Sequence, residues 1–145
     1  MAWIELAPRH KQGLPIASPI MPATGTFGYG PEYHHLIEYG AGATEAFDPH
    51  DPERSPCLGA IVTNPVSLRS RQAAQGPRLA AHGSHILVHT GLPNPGLGKI
   101  IHEYRQFWSR QPIPVIVHPI ATTPRDVARA CDRLSSVPNV MGVEL

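Results

Sequence analysis

Charge is scarce in this sequence and nearly balanced. Twelve Lys and Arg face 11 Asp and Glu, 16% of 145 residues, leaving a net charge of +1 with histidine neutral. A nucleic-acid or anionic-membrane partner therefore has no electrostatic basis. Cysteine is almost missing too. Cys57 and Cys131 stand far apart in no CxxC pattern, which excludes a disulfide framework and a structural zinc site. No apolar run approaches the length that spans a bilayer, and Met1 to Gly13 lacks the apolar centre of a signal peptide. A reducing, cytoplasmic setting is the expectation.

What is present is a globular composition, 41% apolar with 13 Gly and 17 Pro. Proline stands at roughly 12% against an average near 5%. The prolines are spread along the chain, so many short, sharply punctuated elements are expected within a single unit covering residues 1–145.

Short apolar runs alternate with helical patterns. Ile20 to Ala23, Ala60 to Thr63, Val115 to Val117 and Val140 to Leu145 each read as a buried strand bounded by Gly or Pro. Ahead of them, Trp3 to Leu6 and Leu14 to Ala17 pair as a small hairpin across Pro8 to Gly13, within residues 1–18. A first helix opens at Pro31, carries Tyr33, Leu36 and Ile37 on one face and stops at Gly40. A second has an apolar stripe of Leu97, Ile100, Ile101, Tyr104 and Trp108, with Asn94-Pro95 as cap and first turn. A third begins with Thr123-Pro124-Arg125-Asp126, a capping-box pattern, and lines up Val127, Ala130, Cys131 and Leu134, with Cys131 as inert core. Tyr104, Phe107 and Trp108 read as packing, and Asp48 to Arg54 as a polar loop. Strand–helix alternation of this kind implies parallel pairing with right-handed crossovers.

One stretch breaks the rhythm. Residues 65–96 separate strand two from helix two, where a βα loop is normally about 2–6 residues. The stretch holds a hairpin pattern, Arg78 to Ala81 then His85 to Val88, and closes on Gly91-Leu92-Pro93-Asn94-Pro95-Gly96. It reads as a lid at the carboxyl ends of the strands, where α/β proteins bind ligands. Four parallel strands leave two architectures: a small doubly wound, flavodoxin-like sheet, or the first half of a (β/α)8 barrel. The sequence stops at Gly142-Val143-Glu144-Leu145 in or at the tip of a strand, which favours the half barrel and a chain cut in mid-fold.

Three blocks resemble the dihydroorotate dehydrogenases, FMN enzymes of pyrimidine synthesis, and their class 1 members in particular. Ala23-Thr24-Gly25-Thr26-Phe27-Gly28-Tyr29-Gly30 is similar to the family's turn after strand one. Gly59-Ala60-Ile61-Val62-Thr63, followed by Gly76-Pro77-Arg78, is similar to its second strand and the start of its excursion. Gly91 to Gly96 matches its substrate-loop signature. The resemblance implies an α/β fold, the N-terminal half of a (β/α)8 TIM barrel with a short N-terminal β-hairpin and a long lid after strand two. It implies FMN contacts from Ala23, Thr24, Gly25, Asn64, Pro65 and His118. It implies pyrimidine-substrate contacts from Asn64, Val88, His89, Thr90, Gly91, Leu92 and Asn94. The catalytic base, a Cys or Ser after strand four, falls beyond Leu145, so no catalytic residue is assigned.

The departures from the family are specific. Asn64 stands where the family has a lysine, and Val88 and His118 where it has asparagines. Asn64 offers a neutral dipole in place of fixed positive charge, and charge-assisted hydrogen bonds are roughly twice as strong as neutral ones. Val88 donates nothing. Gly25, Gly28 and Gly30 either let the backbone approach a flavin or are simply turn glycines. His82, His85 and His89, spaced by three and four, raise a metal site, but a hairpin does not bring three such imidazoles to one point, and solvated lid histidines is the reading adopted. Two functions follow. One is part of an FMN-dependent dihydroorotate dehydrogenase, inactive on its own; the other is a catalytically dead homologue acting as an interaction scaffold. In either case exposed strand edges predict a homo-oligomer or a partner that completes the barrel.

Overall fold

The computed structural model describes residues 4–34 and 58–145. Among these residues, short strands and two α-helices alternate in an α/β arrangement. A three-stranded parallel sheet runs in the order β3 (Ile61–Val62), β7 (Val115–Val117), β9 (Val140–Val143). Within this sheet the three strands are laid side by side in chain order. Both β3 residues are fully or nearly buried, as are Val115 and Val117, which is the apolar-run signature of a covered parallel sheet.

The pairing resumes beyond an interruption. β4 (Val66–Ser67) pairs in parallel with β8 (Pro119–Ile120), directly after β3 and β7. Val62 faces Ile116 and Val66 faces Pro119, so four steps on one strand oppose three on the other. The extra residue lies within Thr63-Asn64-Pro65. Pro65 has no N–H for a ladder, and Asn64 N–H turns away to donate to Gly28 O at 2.7 Å. The Oγ1 of Thr63 fills the gap by accepting His118 N–H at 3.3 Å.

Two amphipathic helices cover the sheet. α1 (Leu97–Trp108) buries Leu97, Ile100 and Trp108, and α2 (Pro124–Leu134) buries Ala130 and Leu134. These side chains join Ile61, Val115 and Val117 in one core. The N-cap of α2 forms, with half of the expected box: Thr123 Oγ1 accepts Asp126 N–H at 3.2 Å, while the Asp126 carboxylate turns to the Thr123 hydroxyl, which donates to Oδ2 at 2.8 Å. The N-terminal hairpin also forms, shortened to β1 (Ile4–Glu5) and β2 (Pro15–Ile16) in antiparallel register.

Several expectations are corrected. Ile20 to Ala23 is not a strand; it runs beside the sheet with one bond, Gly59 N–H to Ile20 O at 2.8 Å, and Ile20 is 62% exposed. Pro19 just before this run and Pro22 within it remove donors a ladder needs. The N-cap of α1 is Gly96, not Asn94, and no side chain caps it. Cys131 is only half-buried, at the edge of the apolar face. Of the first helix, a 3-10 turn over Pro31–Tyr33 is described; residues 35–40, Cys57 and the 48–54 loop lie outside the described residues. The excursion does contain a hairpin, β5 (Leu79–His82) with β6 (His85–Val88), one residue later on its first strand than the pattern suggests. Gly83, at φ 59°, opens its two-residue turn.

Candidate functional site

The chemistry gathers where the three parallel strands end. Asn64 follows β3, His118 follows β7 and Glu144 follows β9. Asn64 Oδ1, His118 Nδ1 and Glu144 Oε2 are buried atoms without a hydrogen-bond partner among the described residues. His118 Nδ1 lies 3.6 Å from Glu144 Oε2. A buried polar atom left unpaired costs on the order of 1–3 kcal/mol, so three at neighbouring strand ends call for a partner.

The surrounding frame is rigid. Thr24 Oγ1–H donates to Thr63 O at 2.9 Å, tying the 23–30 turn to the end of β3. Glu144 N–H donates to Val117 O at 3.0 Å, and Val66 N–H to His118 O at 2.9 Å. Gly25 sits at φ 84° with no heavy atom within 4 Å of where a Cβ would stand, which leaves its backbone open to a flat ligand. Gly30 also has positive φ, and a Cβ there would strike Phe107, so at that position the turn itself requires glycine. Trp108 Nε1–H donates to Tyr29 O at 2.8 Å, and the Tyr29 ring stacks on Tyr104 with centroids 5.1 Å apart. Burial, with smaller contributions from Tyr104 and Glu32, pushes the Tyr29 phenol up to about 12.

The expected substrate-loop residues divide into two groups. Val88 is 65% exposed on the hairpin, and His89 N–H donates to Arg78 O at 2.9 Å. Thr90 O accepts Ala74 N–H, and Thr90 Oγ1 accepts Leu92 N–H at 3.1 Å. Gly91, at φ 77°, lies so close to the Ala74 backbone that a Cβ would collide with it, and Leu92 has φ 49°. Asn94 is buried and its amide is committed inward. Its Oδ1 accepts from Ser67 N–H and Gly96 N–H, and its Nδ2 donates to Leu92 O and Ser67 Oγ. Asn94 therefore clamps the loop to β4.

The structure brings Thr24, Asn64, Pro65 and His118 together at the strand ends. It adds two residues that sequence reading missed, Glu144 and Thr63. Glu144 could have been found as the polar residue directly following the Val140–Val143 run, the position that His118 holds after β7. His82 and His85 face each other in the hairpin register, but among the described residues no group of three or more His, Cys, Asp or Glu could hold a metal ion.

The donors and acceptors at the strand ends fit the polar edge of a pyrimidinedione, which alternates N–H and C=O groups. Asn64 and His118 can each serve either sense, and Glu144 accepts. The same atoms offer no fixed positive charge for a carboxylate or phosphate.

No protein-family model matches the chain. Curated relatives do. The chain is 33% identical over 133 residues to the "Dihydroorotate dehydrogenase B (NAD(+)), catalytic subunit" of Pelobacter propionicus, covering 92% of this chain and 38% of that protein. To the protein of the same name from Latilactobacillus sakei it is 32% identical over 135 residues, 92% of this chain and 39% of that one. To that from Anoxybacillus flavithermus it is 29% identical over 133 residues, 92% and 38%. The chain thus spans less than two-fifths of the length of these relatives. Across nearly all of its own length, the chain is similar to dihydroorotate dehydrogenase B catalytic subunits.

Proposed function

We propose that this chain is the N-terminal half of a dihydroorotate dehydrogenase-type (β/α)8 barrel, with residues 65–96 as its lid, and that it holds the ring edge of FMN at the ends of β3, β7 and β9. The observation that carries this reading is the trio of buried, unpaired polar atoms on Asn64, His118 and Glu144. Thr24 and Pro65 would shape the cradle, with Ala23 and Gly25 presenting open backbone to the ring face. The hairpin and loop from Val88 to Asn94 would face the pyrimidine substrate, Asn94 by holding the loop in place.

Bound FMN would supply the hydride acceptor for dihydroorotate. This chain's own part is to bind and orient: His118 and Asn64 pair with ring donors and acceptors, and the packed strands exclude water behind them. No general base is assigned within the 145 residues, and such help is commonly worth about 10²–10⁴-fold. The chain alone is therefore expected to bind FMN without oxidising dihydroorotate. Titrating FMN with the purified chain should give saturable quenching of flavin fluorescence, with no dihydroorotate-dependent bleaching. Absence of quenching would refute the flavin site, and bleaching would refute the inactivity. A cytoplasmic setting belongs to this proposal; no helix among the described residues is long and apolar enough to cross a membrane.

A second reading, a catalytically dead scaffold, draws support from Asn64 in place of a lysine and from the hairpin. Leu79, Ile86, Leu87 and Val88 are each more than 60% exposed on it. Apolar area of that kind marks interaction surfaces. On this reading a homo-oligomer or a barrel-completing partner covers it, and size-exclusion chromatography returning a clean monomer that also fails to bind FMN would remove both readings.

A further inference from the structure

A concavity that does not include Asn64, His118 or Glu144 lies between the 67–71 segment, the end of β8 and α2. Its volume is about 810 Å³, within the range of small-molecule sites. Four arginines line it: Arg69 and Arg71 from the segment after β4, Arg129 and Arg133 from α2. Two carboxylates, Asp126 and Asp132, share the lining, and Leu68 and Ile120 give it an apolar wall. Among the described residues no carboxylate lies within ion-pair distance of any of the four guanidinium groups. Arg71 is held by its Nε–H to Gly91 O at 3.1 Å.

The positive end of α1 adds to this imbalance. Its first turn holds Lys99 and no acidic residue, and its N-cap is Gly96 without a side-chain cap. Gly96 is pressed so closely on the Arg69–Ser70 backbone that a Cβ would stand 2.9 Å from Ser70 N. The Arg133 guanidinium rests on Gly98, 2.7 Å from where a Cβ would be. The guanidinium of Arg133 thus rests on the first turn of α1, where the helix dipole already presents positive charge. Arg129 and Arg133, one turn apart on α2, repel each other as well.

We propose that this cleft binds a phosphate ester of a hydroxylated small molecule. The arginine forks match phosphate oxygens bidentately, Asp126 and Asp132 accept from hydroxyl groups, and Leu68 with Ile120 covers the carbon skeleton. The site does not involve Asn64, His118 or Glu144, so it stands or falls separately from the flavin reading.

Calorimetric titration of the whole chain with ribose 5-phosphate tests it. Saturable binding is expected, weakened about tenfold or more in the Arg129→Gln/Arg133→Gln double variant and again in Arg69→Gln, with circular dichroism reporting intact helix. His118→Leu should leave this binding unchanged. Equal binding by all the arginine variants, or no binding to the wild-type chain below about 10 mM, would overturn the proposal.

Discussion

His118 Nδ1 faces Glu144 Oε2 at 3.6 Å across two neighbouring parallel strands, and neither atom has a hydrogen-bond partner among the described residues. The contact is too long for a hydrogen bond, and the two side chains remain 24% and 43% exposed around it. His118→Leu removes one of the two polar heads and is expected to weaken FMN binding about tenfold or more. His118→Asn keeps one donor and one acceptor and should retain affinity within about threefold. Flavin-fluorescence titration of both variants checks the difference.

Asn64 offers the complementary test, because its backbone and side chain do separate things. Its N–H is bonded to Gly28 O at 2.7 Å, while its Oδ1 is buried and unmatched. Asn64→Ala keeps the backbone bond and removes the orphan acceptor. Without ligand, the variant is expected to be more stable by about 1 kcal/mol in urea unfolding, since an unmet buried acceptor costs on the order of 1–3 kcal/mol and some packing is lost. The stabilisation that FMN gives the wild-type chain should disappear. A variant less stable than wild type would mean that Asn64 serves the fold alone.

The parts of this architecture that were legible in the sequence are those written in periodicity and local chemistry. The stripe from Leu97 to Trp108 and the Thr123–Asp126 cap both state a helix outright. The run at Val115 states a buried strand; the run at Val140 states a strand too, but one that stays half-buried with Met141 exposed. Ile20 to Ala23 has the same apolar content, yet Pro19 and Pro22 strip its ladder donors, and donor count is what composition hides. Asn94 reads as a cap because of its type and the proline after it; only the fold shows its amide spanning Ser67, Leu92 and Gly96. Glu144 escaped notice because a single charge beside an apolar run carries no period. Its meaning comes from lying next to His118, 26 residues earlier in the chain.

Alkaline pH should loosen the packing around Tyr29. Its phenol is pushed up to about 12, chiefly by burial, against an ordinary value of 10.0. The folded chain therefore holds this proton more tightly than the unfolded chain does. Stability from this group is complete below pH 10, falls as pH rises toward 12 and levels off beyond. Tyr29→Phe abolishes that slope while keeping the stack on Tyr104. Urea midpoints measured between pH 9 and pH 12 for both chains give the comparison, and parallel pH profiles would contradict the assignment.

Asn94 is expected to be among the most sensitive loop positions for stability. Asn94→Ala strips acceptors from the N–H groups of Ser67 and Gly96 and a donor from Leu92 O, all at a buried position. A loss of about 2–3 kcal/mol follows from net hydrogen-bond values near 1 kcal/mol each. Thermal unfolding measures it. Limited proteolysis should find new cleavage within 88–96, because the clamp between the loop and β4 is gone.

Asn139 joins three pieces of the fold through one side chain. Its Nδ2 donates to Trp108 O at 3.0 Å, Gln111 O at 3.3 Å and Ile113 O at 2.8 Å, while its own carbonyl accepts Val115 N–H at 2.9 Å. It thereby links the end of α1, the turn into β7 and the start of β9. The residue also sits at φ 63°, a conformation costing non-glycine residues roughly 1–2 kcal/mol, less for Asn. The two contributions can be separated. Asn139→Gly keeps the backbone geometry and loses the three bonds, for an expected cost of about 1–2 kcal/mol. Asn139→Ala loses the bonds and adds strain, and should be worse by about a further 1 kcal/mol. Urea unfolding of the pair decides it: alanine no worse than glycine would mean that the left-handed turn is not what places asparagine there.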